Sequence, residues 1–180
     1  MSLWLISFIE LMKNLLNVFL LLLIIFSCEK EKEISSINPV NWEKRLANYQ
    51  ETDSLIEGSS YLSVYSVIYS QTEHITHDLT ATISLRNANR NDTVFIEKAE
   101  YFDTHGNSIR SYFNKPIYIA PMETVEIVID ETDREGGTGG NFLFDWKIKA
   151  TSIEPLFEAI MISTSGQQGL SFSTEGKKIK

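Results

Sequence analysis

Two stretches of this 180-residue chain concentrate side chains that can do chemistry. Glu73-His74-Ile75-Thr76-His77-Asp78 places two imidazoles and two carboxylates in six residues, the donor types of a transition-metal site. The second is Asp130-Glu131-Thr132-Asp133-Arg134-Glu135-Gly136-Gly137-Thr138-Gly139-Gly140-Asn141, with four glycines in five positions. Such glycines let a backbone approach a ligand closely or turn successive amides toward an anion, and the preceding carboxylates could give oxygen ligands to calcium. The spacing is not that of a phosphate loop, and no helical pattern follows. A smaller stretch, Gly166-Gln167-Gln168-Gly169, repeats the theme. The candidate ligand loop therefore comprises Asp133, Arg134, Gly136, Gly137, Gly139, Gly140 and Asn141, with Gly166, Gln167 and Gly169 from the second loop.

Weighed for catalysis, these groups fall short. A His-x-x-His pair in an extended segment points its rings to opposite faces, so residues 73–78 are expected to form a solvated loop between the first two strands. Asp103 and His105 pair a carboxylate with an imidazole, but Asp-Thr-His-Gly-Asn is turn chemistry, and a hairpin tip offers no pocket. Ser163-Thr164-Ser165-Gly166 lacks the strand–elbow–helix setting of a nucleophilic serine. No catalytic residue, metal ligand set or cofactor is expected.

Cys28, the only cysteine, closes the apolar run Leu20-Leu21-Leu22-Leu23-Ile24-Ile25-Phe26-Ser27-Cys28. From Met12 the order is a positive start, an apolar core and a small residue before the cysteine, which is a signal peptide ending in a lipobox. A membrane span needs about 20 apolar residues, and Asn14 and Asn17 interrupt this run. Joining it to the apolar residues 3–9 would bury Glu10, Lys13, Asn14 and Asn17 at a cost of kilocalories. Met12 is thus expected as the true start and Cys28 as a lipidated residue. Each buried acyl methylene contributes about 0.8 kcal/mol, so two or three chains give a stable anchor. Lipidation would use up the thiol and exclude disulfide, metal or nucleophile chemistry there. Glu29-Lys30-Glu31-Lys32-Glu33 then reads as a solvated tether, and also resembles a signal for transfer to the cell surface.

These features need elements to carry them. Trp42, Leu46 and Tyr49 fall at i, i+4 and i+7, predicting a short amphipathic helix with Pro39 in its first turn and Asn38 as its cap. From about Tyr61 to Phe172 the apolar period is two, as in Leu79, Ala81, Ile83, Leu85 and in Phe142, Phe144, Trp146, Ile148. In residues 94–101 the parity switches between Ile96 and Ala99, which predicts a bulge near Glu97 or Lys98. Frequent turn residues separate the runs. Seven to nine strands are expected in about 115 residues, as an all-β, antiparallel, immunoglobulin-like β-sandwich, with a small closed barrel as the alternative. The expected layout is signal peptide 1–27, lipidated tether with short helix 28–57, sandwich 58–175 and basic tail 176–180.

Five blocks occur in order: Tyr61-Leu62-Ser63-Val64-Tyr65-Ser66, Leu85-Arg86-Asn87, Tyr101-Phe102-Asp103-Thr104-His105-Gly106, Gly136-Gly137-Thr138-Gly139-Gly140-Asn141-Phe142-Leu143 and Gly166-Gln167-Gln168-Gly169-Leu170-Ser171-Phe172. Together they resemble a bacterial family known as the domain of unknown function number three-one-two-four. The resemblance implies a secreted or lipid-anchored envelope protein and makes both glycine-rich loops family features. It supplies no reaction, cofactor or catalytic residue.

The formal net charge of -8, without basic clusters, argues against nucleic acid and against electrostatic binding to anionic headgroups. The expected protein is an outer-membrane lipoprotein facing the periplasm or the cell surface. Its expected role is a non-catalytic module binding a protein or glycan. Two alternatives remain open: a small enzyme or metal-dependent ligand binder built on residues 131–141, and a structural subunit of an envelope assembly.

Overall fold

A row of alternating apolar side chains folds as a strand when one face can enter a shared interior and the other can meet water. A computed structural model of the chain describes residues 4, 8, 10, 12–15, 40–49, 54–164 and 169–180. Met1–Glu33 and Ile34–Lys180 are two separate compact units. In the first, the described residues are helical, and among the described residues no helix is long and apolar enough to cross a membrane. Cys28, most of the expected signal peptide and tether residues 29–39 lie outside the described residues.

The second unit is mostly β. Its strands are β1 (Leu55–Ser63), β2 (Val67–Ser70), β3 (Thr72–Asp78), β4 (Thr80–Arg86), β5 (Val94–Phe102) and β6 (Ser108–Ser111). They continue as β7 (Ile117–Ile119), β8 (Thr124–Ile129), β9 (Asn141–Lys149), β10 (Leu156–Ser163), β11 (Leu170–Glu175) and β12 (Lys177–Lys178). One sheet has the order β12-β1-β9-β5-β6, with β7 also on β5, and a second has the order β11-β10-β4-β8. β2 and β3 form a ribbon of their own. The fold is the expected antiparallel sandwich.

Its core is the inward row of each strand. Ala81, Ile83 and Leu85 of β4, Val125, Ile127 and Ile129 of β8, and Phe142, Phe144, Trp146 and Ile148 of β9 are all buried. Aromatic rings line one sheet, Tyr101 to Phe142 at 4.8 Å and Phe142 to Phe144 at 5.4 Å, and Phe144 meets Phe157 of the other sheet at 4.2 Å between centroids. Offset stacks of this kind add to what burial alone contributes. The bulge falls where parity predicts it: the register of β5 against β9 shifts between Ile96 and Lys98, so Ala99 and Tyr101 return to the core.

The twelve strands among the described residues exceed the seven to nine expected, for three reasons. The stretch 61–69 divides at Val64–Ser66 into the end of β1 and the start of β2. The expected loop at residues 73–78 is strand β3, paired with β2; with both faces largely in water it needs no apolar alternation. The expected basic tail is also placed in a strand. Gly176 N–H donates to the Phe157 carbonyl at 2.7 Å, and Lys177 and Lys178 then pair with β1. β11 and β12 thus carry the chain from one sheet to the other across one side of the sandwich. The first strand thus begins at Leu55 and the last ends at Lys178.

The expected amphipathic helix is reduced to a 3-10 turn, Trp42–Arg45, capped by Asn41, whose Oδ1 accepts Lys44 N–H at 3.2 Å. Asn38 and Pro39 lie outside the described residues. Beyond Arg45 the backbone turns extended because it meets a sheet edge: Leu46 bridges Ile117 and Ala47 N–H donates to the Pro116 carbonyl at 2.8 Å. Trp42 packs on Phe113 and Tyr112, and Tyr49 on Phe95. Trp42 and Tyr49 pack on the domain, while Leu46, 42% exposed, is tied to it through the backbone, and the segment forms a strap.

Candidate functional site

The glycine-rich loop connects β8 to β9, and residue pairing fixes which end of the sandwich it occupies. Ile129, at the end of β8, faces Ala81; Thr80, at the start of β4, faces Ile162; and Ser163, at the end of β10, faces Leu170. In the other sheet Asn141, opening β9, pairs with Ser63 and Phe102. The stems of both glycine-rich loops therefore lie at one end, together with the β5–β6 hairpin tip and the β2–β3 ribbon. Within the second loop Gly169 is described, while Gly166 and Gln167 lie outside the described residues.

The first loop is braced from within. The Asp130 carboxylate accepts the Thr132 N–H and hydroxyl, each at 2.8 Å, bonds that hold it below the usual carboxylate range. Asp133 is 1% exposed. One of its oxygens accepts Glu135 N–H at 3.1 Å and the other meets the Arg110 guanidinium at 3.0 Å. Arg110 also reaches Glu135 at 2.9 Å and donates to the Tyr112 hydroxyl at 3.4 Å. Burial alone would lower the Arg110 pKa, but Tyr112 and Asp133 override it and hold the cation above its ordinary value. A buried carboxylate needs such a partner, since an unpaired one would cost several kcal/mol.

Further latches tie the loop to its neighbours. Thr104, at the hairpin tip, donates to the Gly136 carbonyl at 3.0 Å and accepts Gly139 N–H at 2.9 Å. Val64 N–H donates to the Gly140 carbonyl at 2.9 Å, and Ser66 N–H to the Gly137 carbonyl at 3.3 Å. Gly137 N–H donates to the Arg134 carbonyl at 3.0 Å, and Arg134 forms an ion pair with Asp78. The amides of Glu135, Gly137 and Gly139, which an anion nest would present, are thus engaged inside the protein.

Two glycines are dictated by this packing. A Cβ on Gly136 would lie 1.8 Å from the Tyr101 hydroxyl, and Gly137 has φ +67°, which side chains disfavour. Tyr101 is fully buried, and burial pushes its phenol above the usual range, with Ser66 acting in the opposite direction. The Ser66 hydroxyl approaches without forming a hydrogen bond of good geometry, leaving the Tyr101 oxygen enclosed and unpaired.

The remaining candidates fall as follows. Asp103 closes the hairpin tip, accepting the N–H groups of His105 and Asn107 at 2.8 Å each, beside Gly106 at φ +82°. His74 is exposed on β3, where its imidazole lies beside Glu73 and its N–H donates to the Thr72 hydroxyl at 3.2 Å. Among the described residues no group of three or more His, Cys, Asp or Glu is placed to hold a metal ion. Away from the loop end, a cleft of about 300 Å³ opens at the β11–β12 corner beside Glu154, Glu158, Glu175 and Lys178. Its charges are partly matched: Lys178 holds Glu154 and Arg86 holds Glu158, both at 2.5 Å.

Sequence reasoning missed Arg110 and Thr104, which fix the loop, and the buried pair Asn87 and Asn89, which fixes the opposite end. Asn87 Nδ2 donates to the carbonyls of Asp92, Ile119 and Ala120. Its Oδ1 accepts both the backbone N–H and the side-chain amide of Asn89 at 2.9 Å. Asparagines in a turn-rich stretch carried no signal that they were interior.

Fold and site together define an all-β sandwich domain with a braced glycine-rich end. The chain belongs to the family described as "Protein of unknown function (DUF3124)", which matches residues 57–179. The strap at 40–49 precedes the matched region. No curated protein matches the chain. Among solved structures, "Crystal Structure of Thermotoga maritima 1070" is similar at a TM-score of 0.43 and 7% identity. That match covers 67% of this chain and 92% of the other.

Proposed function

We propose that this is a lipid-anchored protein of the bacterial cell envelope, and that it works as a non-catalytic interaction module. Its glycine-rich end is the surface offered to a protein or glycan. The observation that carries this reading is the polarity of the domain. The strap reaches Glu123 through Arg45 at 2.7 Å, and β1 begins with Leu55 opposite Lys149. Both mark the end opposite the glycine-rich loops. Cys28 precedes the strap in the chain, so attachment through it supports a reading in which the glycine-rich loops are the end offered to a partner. The loop at residues 130–141 is held in shape by Arg110, Thr104 and Asp78, so a partner would meet a preformed surface there, which lowers the ordering cost of binding.

The test is the mass of the protein extracted from membranes of cells expressing the full chain. A mature form beginning at a diacylglyceryl-modified Cys28, absent in Cys28→Ser, is expected. A product that retains residues 1–27 and a free Cys28 thiol would contradict the reading.

A further inference from the structure

The end of the sandwich where the chain enters carries an arrangement that the interaction-module reading does not use. Met122, in the turn between β7 and β8, is 66% exposed, and Ile153, in the turn between β9 and β10, is 58% exposed. Single exposed apolar residues are ordinary. These two are fastened to the same buried group. Met122 N–H donates to the Asn89 carbonyl at 3.0 Å. The Asn89 side chain accepts Ile153 N–H at 2.7 Å and donates to the Ile153 carbonyl at 2.8 Å. Asn89 is 6% exposed and is itself bonded to Asn87, which is 2% exposed. Met122 also has φ +61°, a left-handed conformation unfavourable for an unbranched L side chain without such fastening. A satisfied buried amide network and a strained backbone together hold two large apolar side chains in water on adjoining loop tips.

The charges at this end fit the same occupant. Three of its carboxylates are matched: Asp92 with Lys149 at 2.8 Å, Glu123 with Arg45 at 2.7 Å and Glu154 with Lys178 at 2.5 Å. Glu43 on the strap and Glu175 in the cleft beside Glu154 are exposed, without an ion pair among the described residues. Arg90, at the tip between them, is exposed and has no ion pair among the described residues. The loop tips themselves thus carry two apolar side chains and one unmatched cation.

We infer that this end rests on the lipid bilayer, with Met122 and Ile153 entering the interfacial region and Arg90 at the level of the headgroup phosphates. The inference rests on the lipid-anchor reading. Only residues 29–39 separate Cys28 from Val40, and fully extended they reach roughly 40 Å. The bilayer thus lies within range of the end at which the strap begins. Interfacial binding scales with the apolar area buried, so contact by two apolar tips adds to a covalent lipid and sets which way the opposite end faces.

The test uses the full-length protein, reconstituted in phosphatidylcholine vesicles containing nitroxide-labelled lipid. With Cys28 lipidated, the parent protein takes up no thiol dye. Asn91→Cys and His105→Cys then each carry one fluorophore, at the inferred contact and at the far end. Quenching at residue 91 several-fold above that at residue 105 is expected, and M122S/I153S should remove most of the difference. Both substitutions are at exposed positions, and unchanged circular dichroism verifies the fold. Equal quenching, or stronger quenching at residue 105, overturns the inference while vesicle flotation still reports an intact anchor. A protein that fails to float, or a parent that takes up dye at Cys28, overturns the anchor reading and this inference with it.

Discussion

The Tyr49 hydroxyl donates to the Glu97 carboxylate, and Glu97 is the residue at which β5 slips register against β9. The bulge has two consequences. It returns Ala99 and Tyr101 to the core, and it presents a carboxylate outside the sheet where the strap can reach it. Lys147 completes the arrangement, lying 5.4 Å from the Tyr49 ring centroid. Burial, and then Glu97, push the Tyr49 phenol up to about 12.

The strap should therefore weaken in alkali. A phenol raised above its unfolded value of about 10 contributes stability that is fully present below that pH and is lost as pH rises through about 12. Hydrogen exchange at Ala47 N–H, bonded to the Pro116 carbonyl, reports the strap directly. Tyr49→Phe should raise exchange there by roughly the loss of one hydrogen bond, about 1 kcal/mol, with core amides unchanged. Equal protection in Tyr49→Phe would show that the bond does not hold the strap.

The acid side has the opposite sign. The hydrogen bond from Arg45 holds the Glu123 carboxyl below its usual range, with the Ala120 amide adding to it. Its contribution is present above the unfolded carboxylate value of about 4.3 and disappears as pH falls through the lower, folded value. Glu123→Gln should make the protection of Ala47 N–H, its exchange relative to an unprotected amide, insensitive to pH in that window. An unaltered acid dependence would place the titrating group elsewhere.

Gly136 tests whether the loop is a packed wall. A Cβ there collides with the Tyr101 hydroxyl, so Gly136→Ala should cost about 1–3 kcal/mol in urea unfolding, the range for overpacking. Tyr101→Phe removes an enclosed oxygen that has no well-formed bond, and alone it should be nearly neutral. Combined with Gly136→Ala it should restore part of the loss, because the two residues touch. Additive costs would mean that the loop moves aside instead.

Where a residue's role follows from its own strand, it was legible. Parity in residues 94–101 predicts the bulge near Glu97 or Lys98, where it falls, and Asp103-Thr104-His105-Gly106-Asn107 announces its turn. Roles set by a distant partner were not. The stretch 73–78 reads as a loop because β3 is buried on neither face. Trp42, Leu46 and Tyr49 have helical spacing, but a sheet edge at Ile117 draws Leu46 extended. Asp133 was singled out as a ligand for something outside the chain; its partner, Arg110, lies on a four-residue strand that marks no special role for it.

The central claim is that the glycine-rich end meets a partner while the opposite end faces the anchor. It is tested most directly by a photo-crosslinking residue placed in the anchored full-length protein in living cells. His105 and Thr138 lie at the glycine-rich end, and Thr82 lies on the outer face of a sheet. A discrete adduct from His105 or Thr138, and none from Thr82, is the predicted result. Adducts from Thr82 with none from His105 or Thr138 would contradict it.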